Sequence, residues 1–239
     1  MACPLCGSEK RVVLGQKNGY GIVECDDCSL RFADPTPTPE ELDALYGAYA
    51  PNAAYSSKTA SKVARTRRRI ARYISQAPGR RFLDAGCNIG TGVEAARLLG
   101  LEAHGIDVGN DSIESARKLF PQGRYHAGQM ESLPTEWGDF DFVYSSEVFE
   151  HLPDLQTYCA ALAARIKPGG LLYITTPDAG HWRVPADFAS WVEVRPPEHI
   201  VYFSKKTLRR LLDTHGLDII KFEWNLKPGL KALARKRAA

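Results

Sequence analysis

Phe82-Leu83-Asp84-Ala85-Gly86-Cys87-Asn88-Ile89-Gly90-Thr91-Gly92 runs from an apolar stretch, through a glycine-punctuated turn, into the start of a helix. The apolar stretch reads as a buried strand. A ligand can approach the turn's backbone closely because Gly86 and Gly90 carry no side chain. The helix behind it offers free N–H groups and the positive end of its dipole. The next strand ends at Gly105-Ile106-Asp107, where a carboxylate can accept hydrogen bonds from both hydroxyls of a ribose.

Outward from this turn, strands and helices alternate. Hydrophobic patterning predicts strands at 81–85, 103–108, 124–127, 141–145 and 171–175, and helices at 92–99, 111–120 and 154–166. Lys167-Pro168-Gly169-Gly170 stops the last helix before the fifth strand. Ser204 is placed to cap a helix that runs through 215, and 217–224 reads as a further strand. This order predicts an α/β doubly wound, mostly parallel sheet. Upstream, a helix is expected over 59–76 with Val63, Ile70, Tyr73 and Ile74 on one face. Lys58, Lys62, Arg65, Arg69 and Arg72 fall on another, which reads first as a solvated face and second as an anion-binding surface.

The division of the chain follows from composition. Residues 1–32 are cysteine-paired and form one unit. Residues 33–58 are a linker, Pro-rich at 33–39 and able to form a short helix at 40–50. Residues 59–226 carry the α/β domain, and 227–239 are a basic tail with no evident core-facing role.

In the first unit, Cys3-Pro-Leu-Cys6 and Cys25-Asp-Asp-Cys28 are two CxxC pairs separated by 18 residues. Each pair can present two thiolates to one ion, so Cys3, Cys6, Cys25 and Cys28 read as a zinc knuckle, with 12–14 and 22–24 as a hairpin between the pairs. All four positions are filled by protein, which makes the zinc structural. A segment this short buries too little core to fold without it. Cys87 and Cys159 read as packing residues.

The glycine-rich turn does not suit a dinucleotide. Forcing that fingerprint onto Gly90, Gly92 and Ala95 starts it four residues past the strand and leaves Asp107 only 15 residues after Gly92. Asp84 followed by Gly86 and Gly90 instead resembles the first motif of class I S-adenosylmethionine-dependent methyltransferases, which have a Rossmann-like fold. That resemblance implies that Asp84, Gly86, Asn88 and Gly90 hold the methionine portion of the cofactor and that Asp107 holds its ribose. Gln129 and Met130 would line the adenine, and Ser145, at the end of the fourth strand, would also face the cofactor. Asn88 stands where many members have glycine, and Gln129 where many have aspartate; Asn tolerates the left-handed conformation better than most residues. The pattern continues through Phe140-Asp141-Phe142-Val143 and through Pro197-Glu198-His199-Ile200-Val201-Tyr202-Phe203-Ser204, which is similar to a bacterial branch of the superfamily, and covers 81–224. Members usually close the sheet with a β-hairpin. Only one strand, 217–224, is expected here, so a reduced sheet or a shortened chain is anticipated.

On the acceptor side, Glu147-Val148-Phe149-Glu150-His151 follows the fourth strand at the edge where ligands bind in such sheets. This ExxEH pattern is similar to that of ubiquinone-pathway O-methyltransferases and small-RNA 2′-O-methyltransferases. In those enzymes it holds a divalent ion, with His199 here as a further candidate ligand. The metal-free alternative, a structural Glu beside a His that lines the acceptor pocket, carries more weight. His181, Trp182, Trp191 and His199 form either an aromatic lid or packing of the 177–203 loop.

The expected activity is methyl transfer to a small-molecule or sugar acceptor, with oxygen favoured. Carbon methylation of a sugar and RNA methylation through the knuckle and basic helix are the alternatives, and a zinc-ribbon binding module with an inactive domain is a further one. A net charge of +3 argues against a nucleic-acid partner. No apolar run approaches the ~20 residues needed to span a membrane. The opening MACPLCGSEK has no signal-peptide character, so a cytoplasmic enzyme is expected.

Overall fold

The computed structural model describes residues 1–38, 40–42, 44 and 59–238. Most of the expected helix at 40–50 and the remainder of the linker to 58 lie outside the described residues. At the N-terminus are β1 (Arg11–Lys17), β2 (Tyr20–Cys25) and β3 (Arg31–Asp34). The α/β part begins with α1 (Thr59–Tyr73) and continues through β4 (Arg81–Ala85), α2 (Thr91–Arg97), β5 (Glu102–Asp107), α3 (Asn110–Leu119) and β6 (Arg124–Ala127). Then follow β7 (Phe140–Ser146), α4 (Leu155–Ala164), β8 (Ile166–Pro177), β9 (Val201–Tyr202), α5 (Lys205–Thr214), β10 (Leu217–Phe222) and β11 (Gly229–Lys236).

The main sheet has the order β10-β11-β8-β7-β4-β5-β6, with β11 antiparallel to both its neighbours and the pairs from β8 to β6 parallel. Helices cover both faces, so the central strands are near-continuous apolar runs. Phe82, Leu83, Phe142 and Val143 are buried. Local signals set the helix starts: Asp154 accepts the Thr157 N–H at 3.0 Å, and Ser204 and Thr207 form a capping box. Leu208, Leu211 and Leu212 of α5 share the buried face that periodicity demands.

Two expected boundaries are corrected. Residues 229–236 are not a free tail but β11, seated between β10 and β8, so the closing hairpin is complete. The basic residues had masked the strand. Leu230, Ala232, Leu233 and Ala234 are buried, while Arg235 donates to the Gly169 carbonyl at 3.0 Å and Lys236 to the His215 carbonyl at 3.2 Å. These cations satisfy carbonyls of neighbouring elements instead of facing solvent.

The second boundary lies at residue 32. β3 runs past it to Asp34 and pairs with β9, giving a second sheet ordered β1-β2-β3-β9. Ala33, placed by composition in the Pro-rich connector, is a buried strand residue. Ile22, Leu30 and Phe32 are buried in the same apolar cluster as Val201 and Phe203. A unit this small cannot cover its own apolar residues and leans on the larger domain instead.

Candidate functional site

Asp84, the penultimate residue of β4, is buried with its carboxylate against the first turn of α2. A Cβ at Gly92 would collide with it. Burial, reinforced by the nearby charge of Asp107, raises its pKa to about 8, and the Gly92 N–H works in the opposite direction. Gly86 and Gly90 both adopt φ of +83°, where an added Cβ would strike Val148 and Tyr125 respectively. Asn88 between them is also left-handed, at φ +46°, and its Oδ1 accepts the Ile89 N–H at 2.8 Å. The turn is tied to the sheet by Gly86 and Cys87, whose N–H groups both donate to the Ile106 carbonyl at 2.9 Å.

Asp107, at the end of the adjacent strand, accepts the Asn88 N–H at 2.8 Å and the Gly109 N–H at 2.9 Å. One lone pair on each oxygen remains for a diol. Beyond β6, Gln129 is exposed and Met130 is buried at the start of a short 3-10 turn. Ser145 is wholly buried near the end of β7. Its hydroxyl and that of Tyr158 on α4 find no hydrogen-bond partner elsewhere and lie close enough to act on one another.

Of the acceptor-side candidates, the structure gathers Glu150, His151 and His199, whose potential ligand atoms lie within 4.8 Å of one another. Glu147 neighbours Glu150 but is not one of these converging ligands: it is exposed, and its Oε1 accepts from the Thr175 hydroxyl at 2.7 Å. Its φ of +57° marks a strained residue at the strand end. Glu150 is buried. Its Oε2 accepts from Thr176 at 2.9 Å, whereas Oε1 has no partner. Burial, with the charge of Glu147, pushes its pKa well up.

The tautomers of the two histidines follow from their partners. The His151 Nδ1 is 2.7 Å from the Glu198 carbonyl, so it carries the proton, and Nε2 is left with its lone pair 3.9 Å from Glu150 Oε1. Burial lowers the pKa of His151. For His199, Nδ1 donates to the Glu193 carbonyl at 3.0 Å, and Nε2 faces the Arg195 guanidinium at 2.8 Å. Burial, with the His151 ring and Arg195, depresses its pKa to about 3. Both its nitrogens are engaged, so His199 has no lone pair to offer unless Arg195 moves.

The loop aromatics divide. Trp191 is buried against Phe188 with ring centroids 5.7 Å apart, so it packs the loop, while Trp182 is 74% exposed. Sequence reading also missed Arg69. It leaves the solvated face of α1 and donates to the Tyr144 hydroxyl at 3.0 Å, one residue before Ser145. Its place in the 4-3-4-3 row of cations gave no sign of this.

At the other end of the chain the four thiols converge, with Cys3 Sγ 3.5 Å from Cys28 Sγ and Cys6 Sγ 3.5 Å from Cys25 Sγ. The two turns are equivalent. The N–H of Gly7 returns to the Cys3 carbonyl and that of Ser29 to the Cys25 carbonyl, each at 2.8 Å, and both residues are left-handed.

A doubly wound sheet closed by an antiparallel hairpin, with a bare turn facing an acidic strand end, defines a nucleoside-cofactor transferase. Residues 55–221 match the family described as methyltransferase domain, and the chain belongs to that family of S-adenosylmethionine-dependent methyltransferases. Among curated relatives, a ubiquinone biosynthesis O-methyltransferase of Brucella ovis is 33% identical over 158 residues, covering 58% of this chain and 63% of the relative. The corresponding protein of Bordetella avium is 38% identical over 103 residues, covering 41% and 43%. The chain thus spans between about two fifths and two thirds of the length of these relatives. Among solved structures, the 1,6-didemethyltoxoflavin-N1-methyltransferase of Burkholderia thailandensis, bound to its namesake and S-adenosylhomocysteine, shares the fold. It has a TM-score of 0.62 at 17% identity, covering 93% of this chain and 97% of that one. Magnesium protoporphyrin IX methyltransferase of Synechocystis, with bound S-adenosylhomocysteine, gives 0.55 at 15%, covering 82% and 92%. Among the described residues no helix is long and apolar enough to cross a membrane.

Proposed function

We propose that the protein methylates a hydroxyl oxygen of a small-molecule or sugar acceptor, with His151 as the group that removes the hydroxyl proton. The observation that carries this reading is the His151 ring: a fixed tautomer with Nε2 unprotonated, held beside a buried carboxylate at the carboxyl edge of the sheet. The relatives named as O-methyltransferases favour oxygen.

S-adenosylmethionine, when bound, supplies an electrophilic methyl group on a sulfonium sulfur. The residues that would hold it are Asp84, Gly86, Asn88 and Gly90 at the methionine portion, Asp107 at the ribose, and Gln129, Met130 and Ser145 toward the adenosyl side. What supports the assignment is the acidic strand end, where Asp107 keeps a lone pair on each oxygen, beside the left-handed turn at Gly86, Asn88 and Gly90. In-line displacement needs alignment of the acceptor more than covalent help from the protein. His151 Nε2 would take the acceptor hydroxyl's proton as the methyl group is transferred. Glu150 lies beside this ring, with its Oε1 3.9 Å from Nε2.

A second reading has its own observation. Glu150 Oε1 has no partner and lies across from the free lone pair of His151, so a divalent cation between them would satisfy both and lower the pKa of the acceptor hydroxyl. In the N-terminal unit we further propose zinc, because four thiols at these separations match the about 3.8 Å spacing of a tetrahedral Zn–S site.

The test is a methyl-transfer assay with acceptors that carry adjacent hydroxyls, phenolic and sugar, comparing wild type with His151→Ala. The expected loss in kcat is about 100-fold with S-adenosylhomocysteine affinity unchanged. Full activity of the variant would remove His151 from the chemistry. Activity abolished by chelation and restored by magnesium or manganese would select the metal reading.

A further inference from the structure

The sheet that carries the cysteines meets the candidate acceptor centre through a short backbone relay. Ala33 of β3 donates its N–H to the Ile200 carbonyl at 2.8 Å, and Ile200 donates its own N–H to the Glu150 carbonyl at 2.8 Å. Next to this, Arg31 and Phe32 pair in register with Tyr202 and Val201. At the far end of the hairpin, the Asn18 side-chain amide donates to the Pro196 carbonyl at 2.8 Å.

The segment gripped between these contacts, 193–202, supplies the partners that fix both histidines. These are the Glu198 carbonyl for His151, and the Glu193 carbonyl and Arg195 guanidinium for His199. Arg195 is itself steadied by Glu198 at 2.9 Å. The segment has almost no regular structure of its own beyond the two residues of β9, so its order must come from what it packs against. The cofactor side is built differently, with its hydrogen bonds running within 86–109: Gly86 and Cys87 to Ile106, and Asn88 and Gly109 to Asp107.

We infer that the four-cysteine hairpin is a positioning device for the acceptor half of the site: closure of the thiol cluster orders segment 193–202 and thereby sets Glu150 and His151, while the cofactor half is built without it. This rests on reading Glu150 and His151 as the acceptor centre. The measurements below need no acceptor, so they report the coupling even if that reading fails.

The full-length protein is examined in three states: zinc-loaded, stripped with a chelator, and reloaded. Hydrogen exchange is followed over 147–152 and 195–203, the imidazole NMR signals of His151 and His199 are recorded, and S-adenosylhomocysteine affinity is measured by calorimetry. Stripping is expected to speed exchange in both segments by about tenfold and to shift both imidazole signals, with reloading restoring them. Affinity for S-adenosylhomocysteine should stay within about twofold.

Because Cys25→Ser or prolonged stripping can unfold the N-terminus, Asn18→Gly provides a milder case. Glycine keeps the left-handed backbone at φ +49° but deletes the bond to Pro196, and it should move the same signals in the same direction. Unchanged exchange and imidazole signals on stripping and in Asn18→Gly would overturn the inference. So would a parallel loss of cofactor affinity in both, which would make the hairpin a general support of the domain.

Discussion

Asn88 donates its backbone N–H to Asp107 Oδ2 at 2.8 Å, so the turn after the first strand of the methyltransferase sheet is pinned to the end of the second. The same carboxylate accepts the Gly109 N–H through Oδ1. Asp107 therefore shapes the turn and also presents its remaining lone pairs to whatever lies above it.

Replacing Asp107 by Ala should weaken S-adenosylhomocysteine binding by at least about tenfold, or 1.4 kcal/mol, measured by calorimetry. Asn at this position keeps the shape and one acceptor, and should fall between the two. Affinity equal to wild type in the alanine variant would detach Asp107 from the ribose.

The enclosed carboxyl of Asp84 predicts a pH dependence of cofactor binding. Its folded pKa of about 8 lies above the ordinary value of 3.8 because burial and Asp107 disfavour the charge. Between these two values the folded chain holds a proton that the unfolded chain has lost, so stability without cofactor should fall as pH rises through that window. On the proposed assignment of Asp84 to the cofactor's methionine end, the ammonium there would reverse the preference and expel the proton. Affinity should therefore rise from about pH 6 to 8, with proton release near pH 6.5 visible as a buffer-dependent heat. A heat that is the same in buffers of different ionisation enthalpy would show that Asp84 does not meet that charge.

Truncation after residue 226 removes β11, which lies between β10 and β8. Leaving β8 with an exposed edge and β10 without a partner should prevent a soluble fold. The point variant Leu233→Ala, at a side chain only 1% exposed, should cost about 2–5 kcal/mol. Chemical denaturation of the variant measures the cost, and a truncated chain with a native melting transition would show that the strand is dispensable.

The strand, glycine turn and helix around the candidate cofactor residues were legible because their signals are local. A strand, a glycine turn and a helix are contiguous in 82–92, and Asp107 closes the next strand. The left-handed Asn88 and the cap at Ser204 were readable for the same reason. The paired cysteines announced themselves by spacing. Glu150, His151 and His199 were legible as a group, though not their separate states: His199 lost its free nitrogen to Arg195, while the fourth candidate, Glu147, binds Thr175.

Sequence alone thus determined the alternation of elements, the bare turn facing an acidic residue, and a four-thiol cluster, because period, glycine spacing and cysteine spacing act over a few residues. The tertiary structure decided which way His151 points its proton, that a lysine- and arginine-rich end is an interior strand, and that the hairpin is sewn to the loop holding His199. Those outcomes depend on partners such as Asn18 and Pro196, 178 positions apart. Only the packed chain brings such groups within hydrogen-bonding distance, and pairing them depends on burial and orientation that no short stretch encodes.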